Sequence, residues 1–99
     1  MNYEFEFEWD PAKARQNMQK HRYNFRAAMT VFRDPNQQTT YDSQHSNLED
    51  RWITIGLDAN GILRVVAHTY EEVSANPTRI RIISARSATR SEAIQYERR

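Results

Sequence analysis

Asp58-Ala59-Asn60-Gly61 separates two apolar-rich runs, residues 52–57 and 62–70. Asn-Gly tolerates the positive φ of a tight turn, so these runs are expected to pair as an antiparallel hairpin. The segment Arg79-Ile80-Arg81-Ile82-Ile83-Ser84-Ala85-Arg86 supplies the β-branched bulk of a further strand, and it runs straight into a final helix over 88–99. A chain committed to three adjacent strands in its second half must build a sheet and cover it.

The first half offers the cover. Tyr3, Phe5, Phe7 and Trp9 alternate with Glu4, Glu6 and Glu8, which predicts a strand with one aromatic and one acidic face. Asp10-Pro11 then caps and opens a helix that runs to about His21. Asn24 caps a second helix, where Phe25, Ala28, Met29 and Phe32 share one side, and Asp34-Pro35 ends it. Residues 36–50 are polar, with a short strand near 39–42 and a loop around 44–48. A polar connection containing Pro77 spans 71–78. The order β-α-α-β-β-β-β-α predicts a compact α/β (α+β) fold: an antiparallel-rich sheet, two N-terminal helices and one C-terminal helix, with the helices on one face. One domain over residues 1–99 is expected.

Composition removes several function classes. The chain has no cysteine, two glycines and three scattered histidines. Thiolate chemistry is therefore absent, no metal-ligand spacing is recognisable, and the common glycine-rich phosphate loops are missing, so no metal and no cofactor are expected. No apolar run is long enough for a membrane span, and the acidic N-terminus is unlike a signal peptide, which points to the cytoplasm. The formal net charge is only +1, but it is segregated. Residues 1–10 carry four acids and no base, 11–33 carry six bases and no acid, and 79–99 carry six arginines against two glutamates. Such segregation can give a nearly neutral protein a cationic face suited to phosphate.

Strand parity suggests where. Arg64, Val66, His68 and Tyr70 share one side of their strand, and Arg79, Arg81 and Ile83 share one side of theirs. An open sheet face carrying Arg64, His68, Tyr70, Arg79 and Arg81 has the parts for metal-free RNA cleavage. A histidine moves protons, arginines stabilise charge growing on phosphorus, and a tyrosine stacks on a base. On this reading His68 is the proton-transfer residue, and Arg81 and Arg86 hold phosphate. His21 and Lys20 end the first helix, where they suit either phosphate contact or helix capping. Arg51 either joins Glu49 and Asp50 in an ion-pair knot or reaches the phosphate. His45 lies in the polar loop, solvated or functional. Glu92 and Tyr96 share a face of the last helix, and Glu92 either bridges to Arg86 or accepts a proton. Two other classes use the same arginines without catalysis: a nucleic-acid-binding module, and an interaction protein with an acidic partner.

Taken in order, Phe7-Glu8-Trp9-Asp10, Lys13-Ala14, Asn17, Lys20-His21, Phe25, Ala28, Val31-Phe32, Asp34-Pro35, His45-Ser46, Glu49-Asp50-Arg51, Gly56, His68-Thr69, Ile80 through Arg86, Ala88, Glu92 and Tyr96-Glu97 resemble the BrnT family of bacterial toxins. The resemblance implies a RelE-like ribonuclease toxin that arrests growth by cutting RNA. It implies a partner antitoxin with a ribbon-helix-helix DNA-binding part, and repression of operator DNA by the complex. Carried onto this chain, it singles out His21, Arg51, Arg81 and Arg86, with Glu92 and Tyr96 on the helix face. Two positions depart from the family pattern. Arg22 stands where glycine is usual, and Glu71-Glu72 stand where an arginine is usual, which would set carboxylates near the phosphate site.

Overall fold

The computed structural model describes residues 5–72 and 78–98. Its elements are β1 (Phe5–Glu8), α1 (Pro11–His21), α2 (Phe25–Ala28) continued by a 3₁₀ segment (Met29–Arg33), β2 (Gln38–Tyr41), a 3₁₀ turn (Ser43–His45), β3 (Trp52–Leu57), β4 (Leu63–Glu72), β5 (Thr78–Ser87) and α3 (Arg90–Glu97). Five strands form one sheet in the order β1-β5-β4-β3-β2. The central pairs are antiparallel, while β1 runs parallel to β5 at one edge. Tyr3 and the segment 73–77, on which two of the expectations fall, lie outside the described residues.

Local chemistry explains the boundaries. Asp10 Oδ1 accepts from the Ala12 amide at 2.8 Å, with Pro11 in the first turn. Asn24 Oδ1 accepts from Ala27 N at 2.7 Å. In the hairpin Gly61 takes φ 76°, and Asp58 Oδ1 accepts from the amides of Asn60 and Ile62. The last helix begins later than expected, because Thr89 and Glu92 form a reciprocal capping box. The second helix tightens after one turn into 3₁₀ geometry. There Val31 packs under Gly56, where a side-chain Cβ would come within 3.0 Å of Val31.

The main core lies between one face of the sheet and α1, α2 and the 3₁₀ segment. It joins Phe25, Ala28, Val31 and Phe32 to Val66, Ile80, Ile82 and Ala85, with Phe5, Phe7 and Trp9 at its margin. Burying a side chain such as Phe25 contributes about 2–3 kcal/mol. The expectation that all helices share one face is corrected. Tyr96 of α3 packs with Ile55 and Val65, on the opposite face of the sheet. Its hydroxyl donates to Asp34 Oδ2 at 2.5 Å. The second face is thus covered at one end and open at the other.

Two features shape the open end. Across the β4–β5 pair, Ala67 faces Ser84 but His68 faces Ile82, so Ile83 is an extra residue in a bulge. The bulge changes the parity of β5, and Ser84 and Arg86 emerge on the same face as Arg81 instead of the opposite one. Secondly, β1 covers the edge of β5 only over Thr78–Arg81. Beyond it, the buried Asn17 of α1 takes the place of a strand. Its Oδ1 accepts from Ala85 N at 3.0 Å, and its Nδ2 donates to Ala85 O at 2.8 Å and Tyr23 O at 3.0 Å.

Arg22 ends α1 at φ 54°, in the left-handed region, and its amide donates to Met18 O. Glycine adopts this conformation without strain. Arg22→Gly is expected to stabilise the fold by about 1 kcal/mol, read as a raised urea midpoint; an unchanged or lowered midpoint contradicts the assignment. Asn17→Asp sets a carboxylate against two carbonyl oxygens, so a loss of about 3 kcal/mol or more is expected in the same measurement.

Candidate functional site

Two adjoining depressions on the open face share Arg51, Ile83, Ser84 and Arg86 and form one cleft. α1 forms one flank, with Lys13, Gln16, Asn17, Lys20 and His21. Positions 13, 16, 17 and 20 fall on one side of a helix, so Asn17 seats α1 on the β5 edge and thereby aims this polar stripe at the cleft. The other flank holds Asp42 and His45, with Ile53, Val65 and Ala67 of β3 and β4 alongside.

The cleft gathers four cations, Lys13, Lys20, Arg51 and Arg86. Arg86 is held rigidly: Nη1 and Nη2 donate to Glu92 Oε1 and Oε2 at 2.8 and 3.0 Å. That fork, helped by the Thr89 amide, holds the Glu92 carboxyl down at about 2. Glu92 is therefore a carboxylate committed to Arg86 and to the helix cap, the bridging one of the two alternatives that the sequence left open. Arg51 differs. Its Nε is buried and makes no hydrogen bond among the described residues. The rest of its side chain lines both depressions, so its charge faces any anion that enters the cleft. His21 sits among these cations with its pKa held below the ordinary value, first by burial and then by Lys20 and Arg86. Its neutral, proton-accepting form is correspondingly favoured.

The structure assembles Lys20, His21, Arg51 and Arg86, with Glu92 behind Arg86. It does not bring the remaining candidates to them. His68 is fully buried on the helix-covered face, where its Nε2 lies 2.7 Å from Thr54 Oγ1 and its ring packs edge-on against Phe32 and Tyr70. Arg64 is on that face too, bonded to Asp58 at 3.1 Å and Ser87 at 2.7 Å and lying 3.8 Å over the Tyr23 ring. Tyr70 stacks beside Trp52 near the same face. The grouping of Arg64, His68, Tyr70, Arg79 and Arg81 on one open face is thus corrected: the first three belong to one side of the sheet and the last two to the other. Arg79 pairs with Glu6 and Glu71, and Arg81 pairs with Glu49. Arg81 lines a separate depression with Glu8, Glu49, Asp50 and Glu71. Glu71 accordingly lies away from the Arg51–Arg86 cleft and does not oppose phosphate there. Tyr96 is a core residue that anchors α3.

Burial lowers the His68 pKa to about 4. The unfolded chain therefore binds a proton that the folded chain excludes between about pH 6.5 and 4. Stability is expected to be fully present above the upper value and to fall through this window by an amount on the order of 3 kcal/mol. Urea titrations across that range check it, and His68→Gln should flatten the dependence. An equally steep loss in the variant contradicts the role.

Lys13, Gln16 and Ser84 went unmarked among the sequence candidates. The spacing of 13, 16, 17 and 20 carried a signal for the first two. Ser84 carried none, because the bulge that turns it into the cleft leaves no pattern in the sequence. Among the described residues no three His, Cys, Asp or Glu side chains cluster as a metal site requires, and no helix is long and apolar enough to cross a membrane.

Comparison with known proteins gives this arrangement a class. The fold is similar to that of the Brucella abortus ribonuclease toxin BrnT, seen in a 1.1 Å crystal structure, with a TM-score of 0.60 and 21% identity over 88% of this chain and 100% of that one. No curated protein matches the chain. The class is therefore that of the small α/β fold seen in that structure. Residues 9–92 match the family model described as ribonuclease toxin, BrnT, of type II toxin-antitoxin system. The chain belongs to the BrnT family, and with it to the ribonuclease toxins of type II toxin-antitoxin systems.

Proposed function

We propose that the cleft between α1 and β5 is where this toxin cuts RNA, and that it does so without a metal. The observation that carries the reading is that Arg51, the Glu92-locked guanidinium of Arg86 and the neutral-leaning His21 all line one cleft. Arg86 offers a fixed donor fork, and Arg51 a second guanidinium, to the non-bridging oxygens of a phosphodiester, where charge grows in the transition state. Lys13 and Lys20 draw in the flanking phosphates. His21 takes the proton from a 2′-hydroxyl, so that the substrate's own oxygen attacks phosphorus. Support comes from the agreement between these roles and the family's ribonuclease description.

The antitoxin is inferred to carry a ribbon-helix-helix part and to direct the complex to operator DNA, a reading supported by the family resemblance of the sequence. Ribbon-helix-helix parts dimerise, so the mass of the co-expressed complex is expected to correspond to two toxin chains; a 1:1 mass contradicts it.

In EDTA the purified toxin is expected to cleave single-stranded RNA. His21→Asn should lower kcat roughly 10²–10⁴-fold, and Arg51→Ala or Arg86→Ala roughly 10²–10³-fold. Arg64→Ala and Arg79→Ala should lose activity only in proportion to any unfolding. Activity abolished by EDTA overturns the metal-free mechanism, and full activity in His21→Asn overturns the site. The acid limb of the pH–rate profile should have its midpoint below the ordinary histidine value, and Lys20→Met should move it upward by removing a neighbouring positive charge.

A further inference from the structure

The cleft has a histidine at each end. His21 lies on the α1 flank and His45 on the opposite flank, with Arg51, Ser84 and Arg86 shared between the two depressions. Resting on the reading of this cleft as the RNA-cleaving site, we propose that His45 is its second catalytic residue, the general acid that protonates the leaving 5′-oxygen.

The surrounding loop is built to hold His45 relative to Arg51. The Asp42 amide donates to Arg51 O at 2.9 Å. The Ser46 hydroxyl donates to Asp42 O at 2.6 Å and accepts from Arg51 N at 3.0 Å. Asp42 and Arg51 thus close the loop like the ends of a clasp, and Ser46 cross-links it. Inside it, His45 Nδ1 lies 2.9 Å from Asp42 Oδ2. The Asp42 side chain is only 11% exposed, whereas that of His45 is 62% exposed. The carboxylate is therefore a fixed orienting partner, and the imidazole is accessible to a ligand. Nε2 makes no hydrogen bond among the described residues. A carboxylate on Nδ1 with a free Nε2 is the arrangement in which a histidine carries a proton to or from a substrate.

The chemistry balances with these two groups. The O2′–H bond breaks as His21 takes the proton, and the O2′ lone pair forms a new bond to phosphorus. The P–O5′ bond breaks, and its electron pair leaves on the 5′-oxygen. That oxygen takes the Nε2 proton of the His45 imidazolium, whose other N–H faces Asp42. The products are a 2′,3′-cyclic phosphate and a 5′-hydroxyl, with no change of oxidation state and no water consumed. The charged groups lining the depression with His45 are Asp42 from its own loop, Arg51 from just before β3 and Arg86 from β5. The two arginines neutralise the phosphate while Asp42 balances the imidazolium.

The test uses the whole toxin and two RNA oligonucleotides of one sequence, containing a linkage mapped from wild-type products. One has the normal 5′-oxygen at that linkage; the other has a bridging sulfur, a leaving group that needs no proton. On the oxygen linkage His45→Asn should lower kcat roughly 10²–10³-fold with unchanged RNA affinity. On the sulfur linkage the loss should shrink to less than about tenfold, while His21→Asn stays slow on both. An equal loss for His45→Asn on both linkages, a loss in affinity alone, or no loss at all overturns the general-acid role. Cleavage by wild-type protein with His21 dependence but none of these His45 effects leaves the site reading standing. Absence of cleavage by wild-type protein removes both.

Discussion

The Asn17 carboxamide at the edge of β5 is the contact on which the rest of the site depends. β1 is too short to cover that edge, and the buried amide and carbonyl of Ala85, left without a neighbouring strand, need partners. Asn17 provides both in the geometry of a neighbouring peptide and binds Tyr23 O as well. One side chain thereby fixes a helix against a strand. The consequence is functional because Lys13, Gln16 and Lys20 share that side of α1, and His21 follows at its end. Without this seat the cationic flank would have no fixed relation to Arg86.

The arginines divide by what they face. Arg64, Arg79 and Arg81 each have a carboxylate partner and serve the fold or the surface. The Arg79 and Arg81 pairs are exposed and contribute roughly 0–1 kcal/mol each, whereas the Arg64–Asp58 pair is largely buried and belongs to the fold. Arg86 also has a carboxylate, but there the bidentate fork fixes the guanidinium plane at the wall of the cleft. Arg51 lines the same cleft and has no carboxylate partner among the described residues. The cleft is therefore poised for an anion, while the neighbouring depression around Arg81 is dominated by carboxylates.

Much of the architecture was legible in residues with local physical meaning. Asp10-Pro11, Asn24 and Asn60-Gly61 announce two caps and a turn, and all three occur where expected. The side of the sheet taken by α3 was not legible, since Tyr96 looks the same whichever face receives it. Parity correctly put Arg64, His68 and Tyr70 together, but it does not say which face is covered. Phe32 packs against His68 and decides the matter. The Ile83 bulge was equally hidden, and it returns Arg86 to the side of Arg81. His21, Lys20, Arg51 and Arg86 were among the sequence candidates; the structure supplied the reason they meet.

Ring resonances of the three histidines, followed by NMR as a non-cleavable 2′-O-methyl RNA is added, test the location of the site most directly. His21 and His45 should shift in a saturable manner and the Arg51 Nε–H signal should move with them, while His68 stays unchanged. Shifts centred on His68, Trp52 and Tyr70, with His21 and Arg51 unaffected, would place the RNA on the other face of the sheet and contradict the cleft.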